Sequence, residues 1–238
     1  MLEVQKLSKI SYFKQFGPAT LQWLAQRGRQ VSLKEGEYVF IQGEQSEDLY
    51  IVEDGVVRVF RNIEDEKELI INFYYAGESV GETDILDGLS NSANAICHVH
   101  SSLIVIPRKS YLEMMKLFPE SQMAIIKNLS SHMRGLTRRL LELGVGEVEL
   151  RLAKIVYSLA HDANSSKMCS KTSSGDVTLN LSRKDLSSLV GARLETVIRA
   201  ISRWKKDGIA KSSKRGLAIN LNNLKDRIKK IVQSKAVK

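Results

Sequence analysis

The chain has 238 residues, of which 43% are hydrophobic and 26% are charged, so it is long enough for two globular domains. It contains no apolar run near the roughly 20 residues that span a bilayer, its N-terminal residues lack a signal-peptide core, and Cys97 and Cys169 give neither a disulfide framework nor zinc-ligand spacing. The net charge of +9 originates in residues 182–238, which hold 16 Lys and Arg against 4 Asp and Glu. We therefore expect a cytoplasmic protein with a nucleic-acid-binding C-terminal region.

The first hundred residues change from helical to β-type patterns. Residues 1–30 contain short helical patterns, and from Gln30 to Pro107 short β-type runs alternate with glycine-containing turns. Their spacing of about 8–15 residues predicts an antiparallel sandwich or barrel rather than βαβ units. Within this region, DLYIVEDGVVRVFR predicts two strands of a hairpin connected by Glu53–Gly55.

A long helix is predicted from Pro119 onward, where the apolar period lengthens. Its apolar residues alternate at spacings of three and four, as in a heptad seam, and it ends near Gly144 and Gly146, which mark a hinge. The seam could pack against the β-rich region or against a second copy of the helix. Its members are Ile126, Leu129, Met133, Leu136, Leu140 and Leu143.

A helix-turn-helix is predicted over Ser182–Gly208, where two short helical patterns meet at Gly191. Ser182 with Asp185 three residues later forms a plausible N-terminal cap. The run IAKSSKRGLAINL that follows predicts a two-stranded wing, and a basic helix closes the chain. The apolar positions of the two helices are Leu186, Val190, Ala192, Val197 and Ala200.

The second of these helices carries residues suited to reading DNA bases. Glu195 and Arg199 are four residues apart and share one face, which Arg203 extends by a turn. Arginine can donate twice to guanine, and glutamate can accept from cytosine. Arg193 and Thr196 lie near the helix start, where phosphate contacts usually form. A lone Glu–Arg pair at this spacing is more often a salt bridge on a solvated face. The complete helix-turn-helix pattern and the basic hairpin that follows it favour base reading here.

Motifs along the whole chain resemble those of the catabolite-activator and fumarate–nitrate-regulator (CRP/FNR) family. The runs LKEGEYVFIQGEQSEDLYIVEDGVVRVFR and YYAGESVGETDIL are similar to its cyclic-nucleotide-binding β-roll, and the match continues through IPRKSYLEMMKLFPE and the helix-turn-helix, over about 90% of the chain. The resemblance implies an α+β fold with a sensing β-roll (1–118), a dimerisation helix and hinge (119–144) and a winged helix-turn-helix (145–238). The turn glycines that carry it are Gly36, Gly43, Gly55, Gly77 and Gly81.

The resemblance also implies a function and a set of DNA contacts. A parallel homodimer through the long helix would place two recognition helices on a pseudo-palindromic site about 34 Å apart, with a TGA-like core in each half. RNA polymerase would be a partner if the protein activates transcription. The implied DNA-binding residues are Arg193, Leu194, Glu195, Thr196, Ile198, Arg199, Arg203, Lys214 and Arg215.

The implied effector pocket departs from the family pattern. The family binds ribose with a Gly-Glu pair, here Gly81 and Glu82, and the cyclic phosphate with an Arg, whose position is Asn91. No Lys or Arg occurs between Lys67 and Arg108. A buried phosphate without a charged donor loses its strongest hydrogen bond, so we do not expect tight cyclic AMP binding. The aligned pocket residues are Gly81, Glu82, Asn91, Ser92, Ala93, Leu136 and Thr137.

Other effectors of such regulators also fit poorly. An iron–sulfur cluster needs about four cysteines, and the scattered His98, His100 and His132 are more typical of packing than of haem ligation. Cys97 and Cys169 are candidates for a redox pair. Two further alternatives are an unidentified small-molecule effector and a regulator that needs no effector.

The rival function is a cyclic-nucleotide-binding module that acts on a protein partner. We do not expect an enzyme, because the chain shows no nucleophile–base, metal-spacing or phosphate-cradling motif in context.

Overall fold

The computed structural model describes residues 2–64, 67–144, 147–161, 167–171, 176–213 and 216–236. The chain separates into two compact units, Met1–Gly135 and Leu136–Lys238, and the division falls within the long central helix. The mixture of β-rich and helical parts confirms the predicted α+β fold. The segment boundaries at 118 and 144 stay predictions. Within the described ranges, no helix combines the length and apolar character needed to cross a membrane.

The first unit is a β-roll flanked by helices. In chain order the elements are α1 (Val4–Leu7), a 3-10 turn (Ser11–Phe13), α2 (Pro18–Arg27), β1 (Arg29–Leu33), β2 (Tyr38–Phe40), β3 (Asp48–Asp54), β4 (Val56–Glu64), β5 (Lys67–Tyr75), β6 (Ser79–Val80), α3 (Glu82–Asp87), β7 (Asn94–Cys97), β8 (Ser101–Pro107), α4 (Arg108–Leu117) and the beginning of α5 (Pro119–Gly144). The strands form two antiparallel sheets with the orders β1-β8-β3-β6 and β2-β7-β4-β5, as the prediction of an antiparallel sandwich or barrel requires.

Two apolar clusters stabilise this unit. One lies between the sheets and contains Val52 of β3, Val57 of β4 and Leu103 of β8. The other covers the outer face of the first sheet, where Ile51 and Ile104 pack under the N-terminal helices, α4 and the start of α5. Because side chains alternate across a strand, β3 and β8 supply both clusters.

The predicted hairpin between β3 and β4 was wrong, because the two strands belong to different sheets. Gly55 alone separates them, and its φ of 109° turns the chain from one sheet into the other. A Cβ at Gly55 would overlap Ser101, so both the backbone angle and the close approach require glycine. The alternating pattern predicts strands, but it does not distinguish a hairpin from a crossing between sheets.

The second unit contains the winged helix-turn-helix. Its described elements are the end of α5, α6 (Val148–His161), β9 (Cys169–Lys171), β10 (Val177–Leu179), α7 (Arg183–Val190), α8 (Leu194–Lys206), β11 (Ala210–Ser213), β12 (Gly216–Ile219) and α9 (Leu221–Ala236). The four strands form one antiparallel sheet in the order β11-β12-β10-β9. β9 lies in the polar segment after α6 and forms an edge strand of this sheet, since Cys169 of β9 pairs with Leu179 of β10. The predicted hinge residue Gly146 lies outside the described residues.

Candidate nucleic-acid interface

The helix-turn-helix begins with the predicted cap. The Ser182 hydroxyl accepts a hydrogen bond from the Asp185 amide at 3.0 Å, and the Asp185 carboxylate accepts from the Ser182 amide, also at 3.0 Å. This reciprocal capping box satisfies two backbone donors that a helix start otherwise leaves open. It sets the beginning of α7 at Arg183.

The turn between the helices is formed by Gly191. Its φ of 61° is left-handed, and the Ala192 amide donates back to the Ser187 carbonyl at 3.0 Å. A side chain at this φ would be strained, which explains why glycine occupies the position. Beneath the turn the two helices bury a set of apolar side chains, namely Leu186, Leu189, Val190, Val197, Ala200, Ile201 and Trp204.

The outward face of α8 presents Glu195 and Arg199 to solvent. Both are exposed, and within the described ranges neither has an ion-pair or hydrogen-bond partner, so the salt-bridge alternative does not apply to them. Arg193 is the exposed N-cap residue of α8, and Leu194 is also exposed. Thr196 and Ile198 of the same helix are half-buried.

Arg203 is placed differently from the other predicted DNA contacts. Its Nη2 atom lies 3.3 Å from Oε2 of Glu149 on α6, although the side chain remains partly exposed. The wing strands β11 and β12 pair as predicted, and Lys205 Nζ of α8 donates to Ser212 Oγ of β11 at 2.7 Å. The predicted contacts Lys214 and Arg215, at the wing tip, lie outside the described residues.

The pocket glutamate is turned into the core of the first unit. Glu82 is 3% exposed, and its Oε1 accepts from the Tyr12 hydroxyl at 2.5 Å and the Tyr111 hydroxyl at 2.6 Å. Its Oε2 accepts from the Ser79 hydroxyl at 2.7 Å. Gly81 precedes it with a left-handed φ of 78°. Three hydroxyl donors of the protein therefore use both carboxylate oxygens of Glu82, the residue for which the resemblance implies a ribose contact.

The loop that would hold a cyclic phosphate is held by the protein's own groups. Asn91 is buried and donates from Nδ2 to the Ile41 carbonyl at 3.2 Å. The amide and hydroxyl of Ser92 both donate to Asp84 Oδ2, at 3.1 and 3.2 Å, and Ala93 is buried between the sheets. A carboxylate therefore occupies the donors that a phosphate would use, and two negative groups at one position repel.

The predicted dimer seam is largely uncovered. Ile126, Met133, Leu136 and Leu140 are 40–69% exposed, while Leu129 packs partly against the core of the first unit. The Leu143 side chain lies outside the described residues. Thr137, the remaining predicted pocket residue on α5, is exposed.

Comparison with known proteins identifies the family. A model of the "Cyclic nucleotide-binding domain" matches residues 30–117, and one of the "Crp-like helix-turn-helix domain" matches residues 150–227. The fumarate and nitrate reduction regulatory protein of Yersinia pestis is 25% identical over 195 residues, which cover 82% of this chain and 75% of that protein. The chain belongs to the CRP/FNR family of DNA-binding transcription regulators.

Other CRP/FNR relatives agree with this assignment. The CRP-like cAMP-activated global transcriptional regulator of Mycobacterium tuberculosis is 24% identical over 202 residues, or 85% of this chain and 88% of that one. A CRP/FNR regulator structure from Thermus thermophilus shares the fold with a TM-score of 0.71 at 22% identity, and covers 84% of this chain and 98% of its own. The structure of the c-di-GMP responsive regulator CLP of Xanthomonas campestris has a TM-score of 0.75 at 20% identity. The match covers 85% of this chain and 99% of that one.

The candidate histidines and Cys97, which were considered above as haem or redox groups, make contacts within the first unit. His132 stacks edge-to-face on Tyr74, and burial lowers its pKa, whereas His98 packs in the same way on Phe73. His100 Nε2 lies 3.3 Å from Ser32 Oγ. Burial raises the pKa of the Cys97 thiol, which makes it a poor nucleophile. Within the described ranges, no group of three or more His, Cys, Asp or Glu is arranged to hold a metal ion.

One functional candidate, Glu149, was missed in the sequence. It is buried at the start of α6 and contacts Arg203 of α8, yet nothing around it in the sequence EVELRLAK distinguishes it from an exposed first-turn glutamate. Its partners are 54 residues or more away along the chain, so the only local signal was its position in a helix that otherwise carries buried apolar residues.

Proposed function

We propose that the protein is a homodimeric regulator that reads a pseudo-palindromic promoter site with Glu195 and Arg199 and does not require cyclic AMP. The observation that carries this proposal is the face of α8 on which both side chains are exposed and, among the residues that the structure describes, without protein partners. A polar pair left unpaired on a well-anchored helix keeps its full hydrogen-bonding capacity for a ligand. The Gly191 turn leads into that helix, and its buried Val197, Ile201 and Trp204 hold it on the core.

The two side chains supply complementary base contacts. The Arg199 guanidinium donates two parallel hydrogen bonds to O6 and N7 of guanine, and the Glu195 carboxylate accepts from N4 of cytosine. These contacts suit a half-site with a TGA-like core. Leu194 adds an apolar contact suited to a thymine methyl group, while Arg193 and the basic wing contact phosphates.

The dimer is supported by the uncovered apolar seam of α5. Four seam residues are exposed in the single chain, which is unfavourable for side chains of this size unless a partner covers them. A heptad seam pairs best with an identical helix in parallel, and a two-fold dimer matches a two-fold DNA site. If the protein activates transcription, we propose that it also contacts RNA polymerase at the promoter.

Independence from cyclic AMP is supported by the contacts of the pocket residues. Both oxygens of Glu82 already accept hydrogen bonds, Asn91 supplies no charge, and Asp84 already accepts from Ser92. An effector acts only through a difference in affinity for two states, and a nucleotide would have to displace these contacts first. We therefore propose that another small molecule, or the cellular concentration of the protein itself, sets its activity.

The test is a titration of the purified, as-isolated protein onto DNA from its own promoter, without and with millimolar cyclic AMP. The proposal expects nanomolar binding that exceeds binding to random DNA by about a thousandfold or more and does not change with the nucleotide. Both affinities should fall steeply with salt, because phosphate contacts release counterions. Binding that occurs only with cyclic AMP would overturn the pocket argument, and equal affinity for random DNA would overturn sequence-specific reading.

A further inference from the structure

A buried carboxylate connects the recognition helix to the helices behind it. Glu149 is the second residue of α6 and is 5% exposed. Its Oε1 accepts from the Trp204 indole N–H at 3.2 Å and from Arg227 Nε at 2.8 Å, and its Oε2 pairs with Arg203 Nη2 at 3.3 Å. One side chain thus contacts two consecutive residues of α8 and one residue of α9.

Burial of this charge requires a specific reason. A carboxylate taken out of water is unfavourable unless it is fully paired, and here three donors from two helices surround it. Apolar packing beneath α8 is non-directional, so by itself it tolerates small rotations and shifts of the helix. Hydrogen bonds to a carboxylate depend on angle as well as on distance, so the Trp204 and Arg203 contacts to Glu149 favour one orientation of α8.

The position of the contact on α8 is what links it to DNA reading. Arg203 and Trp204 are just over one turn after Arg199 on the same continuous helix. A rotation of α8 about its axis would move the Glu195 and Arg199 side chains together relative to the groove. A shift of about 1 Å is enough to lose a bidentate contact, because such contacts depend on both distance and angle.

We propose that Glu149 is a positioning residue that sets the orientation of the recognition helix through Trp204 and Arg203 and couples it to α9 through Arg227. This inference rests on the proposed DNA-reading function. It assigns Arg203 a role in the protein rather than at a base. It also makes α9, the last helix of the chain, a determinant of base selection without a DNA contact of its own.

The experiment compares Glu149→Gln with Glu147→Gln in the full-length dimer. Glu147 is exposed two residues earlier, so its substitution removes the same charge near the same helix start. Affinities are measured for the promoter site and for random DNA at several salt concentrations, below the melting temperature of each variant. We expect Glu149→Gln to lower the ratio of specific to random affinity by about tenfold, and Glu147→Gln to leave the ratio unchanged.

The outcomes separate this inference from the function on which it rests. If the unmodified protein does not prefer its promoter, the proposed function fails. If it does prefer the promoter, an unchanged ratio in Glu149→Gln, or an equal loss on both DNAs, overturns the positioning role alone. A diminished effect of Glu149→Gln in the Arg199→Ala background supports the role, because the two residues then act on one contact.

A second variant decides the matter if Glu149→Gln does not fold. Trp204→Phe keeps an aromatic ring in the core and removes the indole donor to Glu149. We expect a drop of about threefold in the specificity ratio, as for one lost hydrogen bond. A ratio equal to that of the unmodified protein would overturn the proposal.

Discussion

The face of α8 proposed to read bases and the pocket region around Glu82 both correspond to family motifs in the sequence, yet their polar groups are in opposite situations. On α8, Glu195 and Arg199 are exposed and unpaired within the described residues. Around the pocket, Glu82, Asn91 and Ser92 all use their polar atoms within the protein. The hydrogen bonds that a side chain makes within the folded chain therefore distinguish a residue available for binding from one that has a structural role.

The largest effect is expected when Glu82, in the pocket region, is replaced. Glu82→Ala removes the acceptor that the buried hydroxyls of Tyr12, Tyr111 and Ser79 share. One tyrosine hydroxyl can still donate to the other across their 2.8 Å contact, so two donors lose their acceptor, and each costs about 1–3 kcal/mol. We expect the free energy of unfolding to fall by about 3 kcal/mol, measured by urea denaturation. Glu113→Ala, at an exposed position of α4, is the control and should leave the midpoint unchanged. An unaltered midpoint in Glu82→Ala would contradict the structural role.

The seam of α5 offers the next test, because it is apolar and largely exposed in the single chain. Leu140→Asp places a charge in the proposed dimer contact without disturbing the monomer, in which Leu140 is 68% exposed. We expect dissociation in sedimentation experiments and a loss of about a hundredfold in promoter affinity, since the two half-sites are no longer bound together.

Leu141→Asp is the matched control for the seam. Leu141 is equally exposed, at 68%, but lies one position away from the heptad seam on the outer side of the helix. The Leu141 variant should remain dimeric and bind its promoter. The same dissociation in both variants would refute the seam as the contact.

The face of α8 is tested directly by Arg199→Ala. The substitution removes the two donors proposed for guanine and should cost about 1–3 kcal/mol on the promoter site, with relaxed selectivity at one base pair. Binding to random DNA should change little. The measurement is a set of mobility-shift titrations on sites that vary at each base pair. An equal loss on every sequence would indicate a phosphate contact instead.

The smallest effect is expected from restoring a cation to the pocket. Asn91→Arg supplies the missing charge, but Asp84 still accepts from Ser92 and Glu82 remains bound to the tyrosines. We expect calorimetric titration with cyclic AMP to show less than about a tenfold change in affinity. Tight binding by Asn91→Arg alone would show that the hydrogen bonds of Glu82 and Asp84 do not prevent nucleotide binding.

The parts of the molecule that could be predicted from the sequence are those with local signals. The Ser182 cap, the Gly191 turn and the seam of α5 depend on residues within about seven positions of one another. The roles of Glu82 and Glu149 depend on partners far along the chain, since Tyr12 lies 70 residues before Glu82 and Arg227 lies 78 after Glu149. The strands β9 and β10 have three residues each, too few to show an alternating pattern.

The assignment of β3 and β4 to different sheets also escaped prediction. The acidic pair Glu53–Asp54 at the end of β3, followed by Gly55, is typical of a hairpin turn as well as of a crossing. The two possibilities differ in strand pairing: here β3 pairs with β8 and β4 pairs with β5. This pairing depends on how the two sheets pack in the folded unit, which the local sequence does not show.

The burial of Trp204 beside Glu149 also gives the protein an intrinsic optical probe. The chain has two tryptophans, Trp204 in the second unit and Trp23 in the first, where the Arg27 guanidinium stacks 3.8 Å above its ring. Each unit therefore carries its own fluorophore. In a Trp23→Phe background, the emission of Trp204 reports the packing of the recognition helix alone, so its response to DNA or to an effector can be followed without any attached dye.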